Sequence, residues 1–140
     1  LDIPDSWDVR FSGSLDELLG QSDAVTLHVP LTDETNLMIN AEKLAKFRRG
    51  GLLVNVSRGG VVDQTALYDV LLSGQLAGAA LDVIVPEPPN WDDPLLKLPN
   101  LILTPHIAWR SENSGRQMQS DAASEVRRVL TGETPKWRIS

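Results

Sequence analysis

Cysteine is absent from the sequence, which excludes disulfides, zinc–thiolate centres and thiol catalysis together. Basic residues are in short supply: 13 Lys and Arg face 19 Asp and Glu, for a formal net charge of −6. Neutralising a phosphate backbone needs a basic face, so no nucleic-acid partner is expected. No apolar run approaches the roughly 18 residues that cross a bilayer, and no basic stretch followed by an apolar one opens the chain. A membrane partner is not expected either, nor is a metal site. Internal repeats and low-complexity segments are missing as well. What remains is ordinary: 140 residues, 41% hydrophobic and 23% charged, enough for one domain with a core and too few for two. The composition reads as an acidic, soluble, cytoplasmic domain.

Four short apolar runs punctuate the chain. Ala24–Val29 stops at Pro30, Gly51–Asn55 stops before Ser57-Arg58-Gly59-Gly60, Gly78–Val83 is the third, and Leu101–Thr104 stops at Pro105. Each is near-continuously apolar rather than alternating, the pattern of a strand covered on both faces, as in parallel sheets. Helix signals lie between them. Ser14 and Glu17 stand at capping-box spacing. Asn40 can cap a helix through about Phe47, with Gly50 as its stop. Asp63 can cap another, carrying Ala66, Leu67, Val70 and Leu71 on one face and ending at Gly74. A long helix is predicted from about Ser111 to Leu130, with Met118, Ala122, Val126 and Val129 as its apolar stripe and Gly132 beyond. The residues after it, with Pro135 and Trp137, read as an extended tail. Between Ile84 and Pro99, the prolines at 86, 88, 89, 94 and 99 exclude a crossover helix. A loop of that length inside a compact domain is a candidate functional segment. Strands alternating with helices predict an α/β fold with a parallel sheet and right-handed crossovers.

In an open parallel sheet, ligands bind beyond the carboxyl ends of the strands. Read as a group, the residues at those ends are His28, Pro30 and Thr32; then Asn55, Ser57, Arg58 and Gly59-Gly60; then Asp82 and Glu87; then His106. One Arg, two carboxylates and both histidines fall on a single rim, His106 at the end of the last strand. A guanidinium offers a planar fork that matches a carboxylate. An imidazole moves protons near neutral pH, and an adjacent Glu favours its charged form and fixes its orientation. Taken one at a time, these residues have plainer readings: His106 as a satisfied loop residue, Arg58 paired with Asp63 or Asp82, Glu87 as a solvated carboxylate, Asp82 as a turn cap. Their common location is what favours chemistry.

Five segments in order carry a resemblance: His28-Val29-Pro30-Leu31-Thr32, Asn55-Val56-Ser57-Arg58-Gly59-Gly60, Gly78-Ala79-Ala80-Leu81-Asp82-Val83, Pro86-Glu87-Pro88 and Thr104-Pro105-His106-Ile107-Ala108. Together they resemble the C-terminal signatures of the D-isomer-specific 2-hydroxyacid dehydrogenases, over roughly Ser14 to Trp137. The resemblance implies a partial Rossmann-like parallel sheet with flanking helices, the second half of a dinucleotide-binding domain. It also implies a catalytic set of Arg58, Glu87 and His106. Arg58 would bind the substrate carboxylate and help polarise the carbonyl, His106 would protonate the carbonyl oxygen, and Glu87 would hold His106 in its proton-donating form. Val29, Pro30, Thr35, Val56, Ser57, Arg58, Asp82 and His106 would line the NAD or NADP cleft, with Asp82 near the nicotinamide carboxamide. The substrate would be a small 2-keto or 2-hydroxy acid.

One family feature is missing: no G-x-G-x-x-G turn, and no acidic residue about twenty positions after one, occurs in the sequence. The reading is therefore of residues 1–140 as a single truncated NAD(P)-binding domain, with 111–140 the helix and tail that would return to a substrate domain. The isolated chain is expected to bind cofactor weakly or not at all, since the pyrophosphate lacks its helix N-terminus. The first strand would be left with an open edge, which predicts a homo-oligomer formed through that edge. The competing reading is a non-catalytic remnant that serves oligomerisation or binding.

Overall fold

The computed structural model describes residues 8–137, which form two compact units divided between His106 and Ile107. The first unit is a four-stranded, all-parallel sheet in the order β1-β2-β3-β4. Its strands are β1 (Ala24–Leu27), β2 (Gly51–Asn55), β3 (Leu76–Leu81) and β4 (Leu101–Leu103). Three helices, α1 (Leu15–Gln21), α2 (Ala41–Lys46) and α3 (Gln64–Leu72), connect or precede them. The α/β class and the parallel, Rossmann-like sheet are as the sequence predicts.

The helix starts follow from their caps. The Ser14, Asn40 and Asp63 side chains accept the backbone N–H of Glu17, Lys43 and Ala66, each satisfying a donor that the first turn leaves over. The capping box at Ser14 is only half formed. The Glu17 carboxylate accepts from the Gly13 N–H at 2.9 Å rather than from Ser14. Gly50, expected to stop α2, lies in the turn into β2, with φ +80° and its N–H on the Gln75 carbonyl; α2 itself closes at Phe47. Gly74, at φ +71°, follows α3 as expected.

One expectation is corrected. The strands are not covered on both faces: burial alternates along β1 and β2. Register explains which face is inside. Val25 lies beside Leu53, Leu53 beside Ala79, and Ala79 beside Leu101. These residues pack with Leu19, Leu44, Leu67 and Leu71 of the helices into one core. The opposite row, Thr26, Val54, Ala80 and Ile102, carries no such cover. Ile102 is 65% exposed, and Leu52, on the same face as Val54 two residues earlier in β2, 46%. An apolar run says nothing about cover on the second face, because small and aliphatic residues keep the run unbroken either way. The proline-rich segment holds only a 3₁₀ turn, Pro94–Lys97, whose Leu95 closes the core edge.

The second unit contains α4 (Ser114–Leu130). It starts later than predicted because Ser111 caps from outside: the Ser114 N–H donates to its hydroxyl at 3.1 Å, and the Ser111 N–H to the Ser114 hydroxyl at 2.6 Å. No residue of α4 is buried, and the predicted stripe of Met118, Val126 and Val129 is more than half exposed. The tail is not simply extended. The Lys136 N–H donates to the Glu125 carboxylate at 2.7 Å, which folds the chain back along α4. No helix of the described residues is long and apolar enough to cross a membrane.

Candidate active site

The carboxyl ends of β2, β3 and β4 stay in step past the last strand residues. The Asp82 N–H donates to the Asn55 carbonyl and the Thr104 N–H to the Leu81 carbonyl, both at 2.9 Å. Three loops therefore leave from one rim.

The loop after β2 is built around Asn55, which is 1% exposed. Its Oδ1 accepts the Ser57 N–H at 3.0 Å and the Ser57 hydroxyl at 2.8 Å, while its Nδ2 donates to the Arg58 carbonyl at 2.9 Å. A buried amide so occupied leaves no polar atom unmatched and fixes the turn. Arg58 donates from Nη1 to the Ser57 carbonyl at 2.7 Å. Neither carboxylate considered as its partner takes it up: Asp63 caps α3, and Asp82 accepts the Thr104 hydroxyl at 2.6 Å. Among the described residues, Arg58 has no acidic partner.

The loop after β3 brings Glu87 back to the rim. Its Oε1 accepts the Ile84 N–H at 3.0 Å, and its Oε2 meets His106 Nδ1 at 2.9 Å. The imidazole and the Ile84 N–H hold the Glu87 carboxyl below the usual carboxylate range, against burial and the nearby Asp82, which push it up. An ionised carboxylate only accepts hydrogen bonds, so the proton of this contact lies on Nδ1. His106 reaches this place from a left-handed backbone, φ 56°, directly after Pro105. That region is uncommon for residues other than glycine and recurs where function holds a side chain in place.

The Arg58 and Glu87 loops touch through their backbones. A Cβ placed on Gly59 would lie 2.5 Å from the Ile84 carbonyl carbon and 2.6 Å from its oxygen. Only glycine permits that approach. A short series of contacts thus runs from Gly59, beside Arg58, to Ile84, Glu87 and His106.

Two cavities open on the rim. One, of about 690 Å³, is lined by Asp82, Ile84, Glu87, Thr104 and His106 together with apolar residues that include Trp91 and Leu103. The other, of about 530 Å³, is lined by His28, Val29, Pro30, Val56, Ser57 and Arg58 among others. Asp82, Glu87 and His106 therefore share the first cavity, and Val29, Pro30, Val56, Ser57 and Arg58 the second. Thr35 lines neither. Its hydroxyl donates to the Pro30 carbonyl at 2.6 Å and accepts the Thr32 N–H at 2.8 Å, so it shapes the loop that holds Pro30. Two features were not visible in the sequence, the Gly59–Ile84 approach and the Gln64 side chain described below. The Gly59-Gly60 pair was the only available hint of the first. Gln64 at a helix start gave none.

A four-stranded parallel sheet whose carboxyl rim carries a carboxylate–imidazole contact, a guanidinium with no acidic partner among the described residues and apolar-walled clefts defines an α/β domain of the nucleotide-binding kind. Residues 4–108 match the family described as D-isomer specific 2-hydroxyacid dehydrogenase, NAD binding domain. The chain belongs to that family. It is 50% identical over 121 residues to a glyoxylate reductase of Korarchaeum cryptofilum, covering 86% of this chain and 36% of the relative. The TT0316 protein of Thermus thermophilus superposes with a TM-score of 0.90 at 40% identity, covering 99% of this chain and 44% of that one. A D-isomer specific 2-hydroxyacid dehydrogenase of Xanthobacter autotrophicus, solved with NADPH and MES, gives 0.78 at 37% identity, covering 90% and 51%. The chain spans little more than a third of the length of the curated relatives it matches.

Proposed function

We propose that this chain is the part of an NAD(P)-dependent D-2-hydroxyacid dehydrogenase that binds the keto-acid carboxylate and supplies the proton. The observation that carries the reading is the Glu87–His106 pair, at 2.9 Å, tied through Ile84 to the loop of Arg58, which has no acidic partner among the described residues. Arg58 binds the carboxylate of a small 2-keto acid such as glyoxylate, and His106 gives its Nε2 proton to the carbonyl oxygen. Glu87 holds Nδ1 and so fixes the orientation of the ring before the transfer. In the reverse direction the neutral ring accepts the hydroxyl proton. Val29, Pro30, Val56 and Ser57 give the second cavity a largely apolar wall that suits a planar ring, and Asp82, buried on the first cavity beside the acid–base pair, suits a polar amide, so a ring using both would bridge the two cavities. A nicotinamide bound there supplies the hydride.

The test is a chimera in which this chain replaces the matching stretch of the Korarchaeum glyoxylate reductase. It should oxidise NADH or NADPH with glyoxylate, and His106→Asn should lower turnover by about 10²-fold or more. Undiminished turnover in that variant would refute the role of His106. Arg58→Gln should raise KM for the keto acid and lower turnover as well, since the guanidinium both binds the carboxylate and helps polarise the carbonyl; unchanged values for both would refute its role.

A second reading concerns assembly. Among the described residues β1 pairs only with β2, so the other side of Ala24–Leu27 presents unpaired backbone groups. We infer that copies associate edge to edge there. Light scattering at micromolar concentration should show a dimer, and a monomer would overturn this.

A further inference from the structure

We propose that Gln64, the first residue of α3, is a positioning residue for the acid–base pair: its side-chain amide clamps the loop that carries Glu87 and holds it against the loop that carries Arg58. The proposal rests on reading Glu87 and His106 as that pair. Gln64 Nε2 donates to the Val85 carbonyl at 2.6 Å, and the Val85 N–H donates to Gln64 Oε1 at 3.0 Å. The amide thus engages both polar groups of one peptide residue, as a neighbouring strand would. The preceding N–H, that of Ile84, goes to the Glu87 carboxylate at 3.0 Å. Successive N–H groups therefore face Glu87 and Gln64, and a rotation of this segment breaks both bonds.

Gln64 is itself firmly held. The Asp63 N–H donates to the Ile39 carbonyl at 3.0 Å, and Asp63 caps α3 through Ala66. Ile39 and Leu67, on either side, are fully buried. Gly59 contributes the second jaw, since its backbone lies against that of Ile84. Residues 58 to 64 thus carry the carboxylate-binding cation and also grip the segment that places the acid–base pair. The distance between the two is set by a single stretch of chain.

Two substitutions test this in the 140-residue chain. Gln64→Met keeps the size and removes both bonds. Gln64→Glu keeps the acceptor; its introduced carboxyl donates to the Val85 carbonyl when protonated and repels it when ionised. The readout is the titration of the Glu87 carboxyl carbon by NMR, together with the Val85 amide signal. The groups facing Glu87 are His106, Asp82 and the Ile84 N–H. In Gln64→Met the Glu87 midpoint should rise toward the usual carboxylate range by about half a unit or more, as the Ile84 bond loosens. In Gln64→Glu the His106 and Val85 signals should match the unsubstituted protein in acid and depart from it at neutral pH. A folded Gln64→Met with an unchanged Glu87 midpoint overturns the proposal, because a purely structural glutamine would lower the melting temperature alone. If Gln64→Met does not fold, Gln64→Glu decides: no departure at neutral pH overturns the proposal equally. No cofactor or keto acid enters these measurements. The clamp and the dehydrogenase reading can therefore fail independently.

Discussion

Replacing Gly59 with alanine probes the contact on which the rim depends. The added Cβ would stand 2.5 Å from the Ile84 carbonyl carbon, where ordinary contact begins near 3.4 Å, so the two loops must part by roughly 0.9 Å. Both atoms belong to backbone, so no side chain can swing aside. The bonds on the far side of Ile84 have little slack: 3.0 Å to Glu87 and, from there, 2.9 Å to His106. A displacement that large takes at least one beyond hydrogen-bonding distance. Overpacking costs about 1–3 kcal/mol, and the lack of an escape places this case near the top of that range. For a unit of this size the melting temperature should fall by about 10 °C. Turnover in the chimera should fall by about 10²-fold, as for a misplacement of about 1 Å. Gly115→Ala is the control: it lies in α4 with nothing within 4 Å of an added Cβ, and alanine there should be neutral or stabilising by up to about 1 kcal/mol. Circular dichroism melts and chimera assays read both variants. A Gly59→Ala protein melting within about 2 °C of the unsubstituted one would refute the argument.

Two further outcomes follow from the core and the acid–base pair. Leu67 is fully buried, and Leu67→Ala should lower stability by about 2–5 kcal/mol, seen as an earlier urea midpoint with an unchanged slope. Glu87 is depressed in the folded state by His106 and Ile84, so its pairing stabilises the fold above the unfolded-state carboxylate pKa. That contribution is lost as pH falls through the lower, folded-state value. The side chains are 40% and 44% exposed, so solvent screens the pair to about 0–1 kcal/mol. The stability difference between the unsubstituted protein and Glu87→Gln should shrink as acid is added; a difference that grows would reverse the assigned sign.

The caps were legible because each works within three residues: Ser14, Asn40 and Asp63 announce their helices locally. The rim was legible for another reason. Parallel strands put their carboxyl ends on one side, so Asn55, Asp82, Glu87 and His106 could be grouped before any distance was known. Cover on the second sheet face was not legible, because Leu52, Val54, Ala80 and Ile102 look alike to periodicity whether or not a layer rests on them. Gln64 was hidden by distance along the chain. Its partner Val85 is 21 residues away, and a polar residue in the first turn of a helix looks like an ordinary surface position.

The rim divides its polar groups by how fully they are bonded. Asn55 commits its side-chain amide within its own loop, and Gln64 and Thr104 bond across to Val85 and Asp82, so removing any one leaves a partner without its bond. Such groups set distances and cannot also meet a ligand without giving them up. Arg58 is the reverse case: among the described residues its guanidinium rests only on the Ser57 carbonyl, which leaves most of its five donors for an anion. On the proposed reading a planar carboxylate would bind there without first breaking an ion pair to any described residue. That is the physical content of preorganisation on the proposed reading: amide and hydroxyl hydrogen bonds formed during folding hold the geometry, and Arg58, which has no acidic partner among the described residues, is left for an anion.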